Sequence, residues 1–239
     1  MADGPLYQTV TLPLLPMRED IIYPGMTVPF FIGRKQSMEA VEQALRGERK
    51  IFVVTQRDTS VERPTQDDLF EVGTIGNVLQ IMRLPNGTLK ALFESKNRGR
   101  LIEARMGKDH YSAVVEEIPA IEDVSEEIDE LADRVRKILP KYIEDTKKNP
   151  GEIDTDAMLS HAPAELADKI APLLNASRES KQDLLEILDP FERLSRVLKE
   201  MEEESEVRKL ERKLKDQVRK TVGTTHRDHY LNDQLKAIQ

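Results

Sequence analysis

Val78-Leu79-Gln80-Ile81-Met82 and Leu89-Lys90-Ala91-Leu92-Phe93 flank Pro85-Asn86-Gly87. Asn-Gly accepts the positive φ angles that a tight turn requires, so this stretch predicts a β-hairpin. Upstream, Val10, Leu12 and Leu14 alternate with Thr9, Thr11 and Pro13, a period of two with one face inward. Pro13 has no amide to donate, which predicts an edge or end strand. Val28 to Ile32 and Ile51 to Thr55 are apolar runs of strand length, and Leu101 to Ala104 and Tyr111 to Val115 add two more. Between Ile32 and Ile51, Ser37 is placed to cap a short helix with Met38, Val41 and Leu45 on one face and Gly47 as its stop. Six or more short strands with one small helix predict a compact, partly closed β domain ending near Pro119.

The grammar changes in the acidic stretch Glu116 to Asp129. Ile128, Leu131, Val135, Ile138, Leu139 and Tyr142 recur at three- and four-residue spacing, which predicts an amphipathic helix, and Asn149-Pro150-Gly151 closes that region. Pro163 opens another helix with Leu166, Ile170 and Leu173 inward, limited by Pro172. Ser180 is read as the cap of a helix over Lys181 to Leu188. Asp189-Pro190-Phe191-Glu192 is a stronger start signal, with an N-cap acid, Pro at the first helical position and an acid at the third. No Gly or Pro follows until Gly223, which permits a helix of roughly 30 residues, about 50 Å long. Its apolar stripes (Phe191, Leu194, Leu198, Met201, then Val207, Leu210, Leu214, Val218) are narrow and out of step. That pattern predicts an arm rather than a core helix. The expected organisation is α+β: a β domain over 1–119, a helical bundle over 120–188 and a long charged helical arm over 189–239. Asp228 to Gln239 reads as a helix cut in mid-run, as expected for the front part of a longer protein.

Charged residues make up 33% and aromatics 5%, which suits extended helical surface better than one thick core. A net charge of -8 argues against non-specific nucleic-acid binding. Without cysteine there is no disulfide framework, thiol nucleophile or Cys-ligated zinc. Met1 to Pro5 does not open a signal peptide, and no run approaches the roughly 20 apolar residues of a membrane span, so a cytoplasmic protein is expected.

No phosphate loop, nucleophile elbow or H-E-x-x-H occurs. His226 and His229, three apart with Asp228 and Asp233 nearby, are read as solvated histidines because a third convincing ligand is missing. His110 and His161 read as turn and cap residues. The acidic runs Glu122 to Asp133 and Glu202 to Glu206 read as solvated helix faces. Met38 and Met82 read as core fillers, while Met17 and Met26 lie in a Pro/Gly-rich connection and are open to partner contact. Nothing here performs chemistry; the chain binds or positions.

Leu12-Pro13-Leu14-Leu15-Pro16-Met17-Arg18, Tyr23-Pro24-Gly25-Met26 and Val28-Pro29-Phe30-Phe31-Ile32-Gly33-Arg34 resemble the opening of bacterial Lon proteases. Asp68-Leu69-Phe70-Glu71-Val72-Gly73-Thr74-Ile75 and Leu84-Pro85-Asn86-Gly87-Thr88 resemble the hairpin region of the same amino-terminal domain. Lys181-Gln182-Asp183-Leu184-Leu185-Glu186 and Tyr230-Leu231-Asn232-Asp233-Gln234-Leu235-Lys236-Ala237-Ile238-Gln239 are similar to the helical region before the Lon ATPase module. The resemblance implies a PUA-like β domain that selects substrates for a cytosolic, homohexameric, ATP-dependent serine protease. The AAA+ module, using ATP and Mg2+, and the Ser–Lys dyad domain of that protease have no counterpart in these residues. Implied partners are unfolded or damaged proteins, the protease's own modules and neighbouring subunits, with no membrane or nucleic acid. Candidate substrate contacts are Met17, Tyr23, Pro24, Met26, Arg34 and Lys35. Ser95-Lys96-Asn97-Arg98-Gly99-Arg100 departs from the family pattern in being more basic and in carrying a glycine. Two other classes compete. A stand-alone adaptor with the same β domain has no use for Tyr230 to Gln239, and an RNA-binding barrel sits poorly with the acidic balance.

Overall fold

The computed structural model of the chain describes residues 7–107, 109–121, 125–146 and 154–238, with side chains through residue 215 and at 217. Met1 to Pro5, Asn149-Pro150-Gly151 and the side chains of His226 and His229 therefore lie outside the described residues.

Six strands form the β domain: β1 (Gln8–Met17), β2 (Thr27–Ile32), β3 (Lys50–Thr55), β4 (Val72–Arg83), β5 (Leu89–Met106) and β6 (Tyr111–Ile118). Their order is β2-β5-β4-β3-β1-β6, and β5 also pairs with β6, so five strands close on themselves and β2 is added at the side of β5. The predicted hairpin joins β4 to β5. Gly87 adopts φ +82°, and the Leu84 amide donates to the Thr88 carbonyl at 2.9 Å. Thus the Asn-Gly signal marks the turn it was expected to mark.

Two strand expectations change. Leu101 to Ala104 is not separate but continues the 18-residue β5, whose first half pairs with β2 and second half with β6. Strand β1 stands between β3 and β6 in the strand order, although each of its residues pairs on one side only. Pro13 is tolerated because it sits where β1 changes partner, with Gln8 to Pro13 on β6 and Leu14 to Met17 parallel to β3. Gly99 fits the wall of the closed strands, since a Cβ there would stand 2.6 Å from Val115 and 3.0 Å from the Phe52 ring. That close approach accounts for the glycine in the basic segment.

One apolar core, including Leu14, Phe52, Ile75 and Val115, fills the closed strands. A second lies under α1 (Lys35–Arg46) and includes Val41, Ala44, Val53, Val78 and Phe93. Ser37 does not cap α1; the helix starts two residues earlier, Ser37 is buried within it, and Gly47 ends it.

The helical part consists of α2 (Glu126–Thr146), α3 (Thr155–Leu159), α4 (Pro163–Ile170), α5 (Arg178–Glu186) and α6 (Pro190–Ile238). Its core joins Val135, Leu139 and Tyr142 to Leu166, Ile170, Leu184, Val197 and Met201, and it also takes in Ile21, Tyr23 and Val72 from the β half. The first three turns of α6 are therefore core, and the exposed stripe of Val207, Leu210 and Leu214 begins beyond them. The N-cap of α5 is Ser177, not Ser180: its Oγ accepts the Ser180 amide at 3.1 Å. As expected, the Asp189 carboxylate accepts the Glu192 amide at 2.8 Å and opens α6. The helix then runs through Gly223 for 49 residues in all. One glycine inside a helix costs only about 1 kcal/mol, too little to end it. Glu204 is no solvated acid, since it accepts from the Tyr142 hydroxyl at 2.7 Å and from the Asn175 amide. No described helix is long and apolar enough to cross a membrane.

Candidate functional site

Alternation along β2 sends Phe30 and Ile32 inward and Phe31 outward. Phe30 stacks on Phe93 at 5.3 Å between ring centroids, which locks that register. Phe31 is opposite Lys90 on β5, and Lys90 is opposite Met82 on β4; the next row is Pro29, Leu92 and Gln80. These side chains share the outer face of β2, β5 and β4. Phe31 is 65% exposed and Met82 53%. Pro29, Gln80, Met82, Lys90 and Leu92 line a shallow hollow of about 310 Å3. Phe31 and Met82, two large apolar side chains exposed on one water-facing sheet, make this face a candidate contact surface.

The expectation that Met82 fills the core is overturned by a bulge. The β4–β5 register shifts between Val78 and Gln80, so Leu79 is an extra residue. Had the pairing run on unshifted from Val78 and Phe93, Ile81 would oppose Lys90; with the shift Ile81 opposes Ala91 and packs toward the core under α1, and Met82 faces water. Met38 does pack against that core.

The predicted contact residues do not form one site. Tyr23 is fully buried, with its hydroxyl donating to the Lys181 carbonyl at 2.6 Å and its carbonyl accepting from Ser95 Oγ. Burial, then the nearby Asp168 carboxylate, raises its pKa above the ordinary tyrosine value. It is withdrawn as a surface contact, because a Pro/Gly-rich connection in sequence becomes a packed joint between the two halves. Met26 lies half-buried at the same joint, where its sulfur accepts the Tyr23 amide at 3.2 Å. Met17 and Arg34 border a separate groove of about 500 Å3 between the end of β1 and the open side of β2. The Arg34 guanidinium donates to the carbonyls of Pro16 (2.6 Å) and Glu62 (3.3 Å) and to Gln56 Oε1 (2.8 Å), so it ties down a loop. Burial, then the repulsion of Arg18, lowers its pKa. Lys35 is exposed at the start of α1.

Pro24 borders a more enclosed cleft of about 340 Å3 between the two halves, shared with Gly25, Lys96, Arg98, Ile121 and Lys169. Its floor is a buried ion triad. Arg98 donates to both Asp168 oxygens, at 3.0 and 2.6 Å, and to the Leu185 carbonyl at 2.8 Å. Arg193 Nε lies 3.2 Å from Asp168 Oδ1, and its other nitrogens reach the carbonyls of Ala164, Ile187 and Leu188. Burial pushes the Arg193 guanidinium down to about 10 against the opposing pull of Asp168. The Arg98 and Arg193 hydrogen bonds go to Asp168 and to backbone carbonyls of the helical half, with Arg193 Nε held to Asp168 by charge alone. The triad is therefore a joint between β5, α4 and α6. Polar residues 25 to 95 positions apart give no local signal of such a joint. The outer-face hollow had one, since Pro29 marks a strand that leaves one edge unpaired.

Among the described residues no cluster of His, Asp or Glu is placed to hold a metal ion.

The family model of the ATP-dependent protease La (Lon) substrate-binding domain matches residues 11–203. The chain is 36% identical over 234 residues to the Lon protease of Escherichia coli (strain K12), a match covering 97% of this chain and 30% of that protein. It is 37% identical over 232 residues to Lon protease 1 of Syntrophobacter fumaroxidans, covering 97% and 28%. Two solved structures share the fold. The N-terminal domain of Mycobacterium avium complex Lon protease aligns with a TM-score of 0.66 at 22% identity, over 81% of this chain and 98% of that one. The Lon N-terminal domain protein from Xanthomonas campestris aligns with a TM-score of 0.57 at 20% identity, over 79% and 97%. The chain spans about 30% of the length of the curated relatives. With most of its described residues inside the matched range and an α+β fold shared with two such domains, the chain belongs to the Lon substrate-binding domain family.

Proposed function

We propose that the outer face of β2, β5 and β4 holds apolar segments of unfolded or damaged proteins for an ATP-dependent Lon protease. The carrying observation is the exposed row Phe31, Lys90, Met82 beside the hollow floored by Leu92. Such a surface binds any extended segment with large apolar side chains and releases it readily, because few of its atoms are enclosed. In the parent enzyme an AAA+ ATPase and a Ser–Lys protease domain supply the chemistry, ATP and Mg2+ act there, and the setting is the cytoplasm during quality control and stress. A homohexamer raises the effective concentration of weak surfaces. The exposed part of α6 sets their distance from the ATPase ring.

The test uses a reduced, carboxymethylated model protein that cannot refold, titrated against the 239-residue chain. Placing carboxylates on the face (Phe31→Asp with Met82→Asp) removes roughly 1.5 kcal/mol or more of apolar burial per site and weakens binding at least about tenfold. Val207→Asp on the exposed α6 stripe leaves it unchanged. Equal binding by the double variant and the wild type moves recognition elsewhere.

A further inference from the structure

Charge on this face is not evenly spread. Glu94 is paired with Lys96 at 3.6 Å and Gln80 is neutral, while Arg83, opposite Leu89 on the α1 side of the sheet, is paired with Glu42. Lys90 stands between Phe31 and Met82, and among the described residues no carboxylate comes within ion-pair distance of it. Its ammonium lies 5.6 Å from the Phe31 ring centroid, a cation–π contact that places the cation beside the exposed aromatic surface. It also borders the hollow lined by Pro29, Met82 and Leu92. An apolar side chain seated there brings its sequence neighbours beside a positive charge that no carboxylate of the described residues neutralises.

Resting on the binding surface assigned above, we propose that Lys90 is a specificity-determining residue that favours unfolded segments carrying a carboxylate next to the apolar anchor. The chain as a whole carries a charge of -8, so its overall field opposes such segments. At about 150 mM salt the screening length is about 8 Å, and the nearest charge decides. A preference for acidic flanks under those conditions is therefore a local signature.

Two synthetic peptides with the same Phe-Val-Leu core, one flanked by aspartates and one by lysines, are titrated against the full chain at about 150 mM salt by fluorescence anisotropy. The acidic peptide binds about two- to fivefold more tightly, the range one partly exposed ion pair supports. Lys90→Met abolishes the preference while both peptides still bind, and Lys90→Glu reverses it. Lys90 is exposed, so these variants fold, and a thermal melt checks it. A preference that survives Lys90→Met overturns the role of Lys90. Equal binding of both peptides, with Phe31→Asp abolishing it, also overturns Lys90 but leaves the surface standing. Absence of binding by either peptide overturns both.

Discussion

Asp168 is the residue on which the joint between the two halves turns. Its two oxygens serve Arg98 from the β domain and Arg193 from α6, and all three side chains are buried. Asp168→Ala leaves two buried guanidinium groups without their counter-ion and costs about 3–5 kcal/mol in urea unfolding. A loss below about 1 kcal/mol would mean that the triad is solvated in practice. Two tyrosines give a second residue-scale prediction. Burial holds Tyr23 and Tyr142 above the ordinary tyrosine pKa of about 10, aided by Asp168 at Tyr23 and by Glu204 at Tyr142. Both stay protonated in the fold while the unfolded chain ionises. Their contribution is complete below pH 10 and is lost as pH rises above it. Tyr23 and Tyr142 should gain phenolate absorbance only as the chain unfolds, and ionisation of either in the folded state near pH 10 contradicts this. Little of this was legible in the sequence. Tyr23 stands in Tyr23-Pro24-Gly25-Met26, which has the composition of a surface connection, and only the packing of Lys181 and Ser95 against it reveals a joint.

Elements were more legible than residues, and the exceptions have physical causes. The Asn86-Gly87 turn and the Asp189-Pro190 start were readable because each depends on chemistry within four residues. The cap of α5 was not. Ser177 and Ser180 both satisfy the local rule, and the extra turn is favoured because it brings Arg178 within 2.6 Å of the Arg57 carbonyl. The bulge at Leu79 was equally hidden, and it reversed the reading of Met82. Helix α6 yields a graded prediction. Leu198 lies in the bundle core and Leu210 in water, although both belong to apolar stripes in sequence. Leu198→Ala should cost about 2–4 kcal/mol and Leu210→Ala less than about 0.5, read from the urea midpoint at constant slope. Comparable losses at both would mean that the outer turns of α6 are covered in solution. Asp189→Ala should cost about 1 kcal/mol through loss of the N-cap.

At the scale of the whole molecule, the two halves share a core. Ile21, Tyr23 and Val72 are buried among helical side chains, Gln182 donates to the Val72 carbonyl at 2.8 Å, and Arg98 reaches the end of α5. That joint holds the β domain in a defined pose on α6. The outer face of β2, β5 and β4 is the surface proposed to meet substrate. Composition alone showed an acidic, highly charged chain. The location of the surface needed the register of three strands, because one shifted residue decides which side chains face water. The most direct measurement is amide and methyl chemical-shift mapping of the 239-residue chain titrated with an unfolded protein that cannot refold. The largest changes should fall on Phe31, Met82, Lys90 and Leu92. Changes confined to the cleft around Arg98 and Lys169 or to the exposed stripe of α6, with the Phe31 and Met82 signals unmoved, would contradict the account.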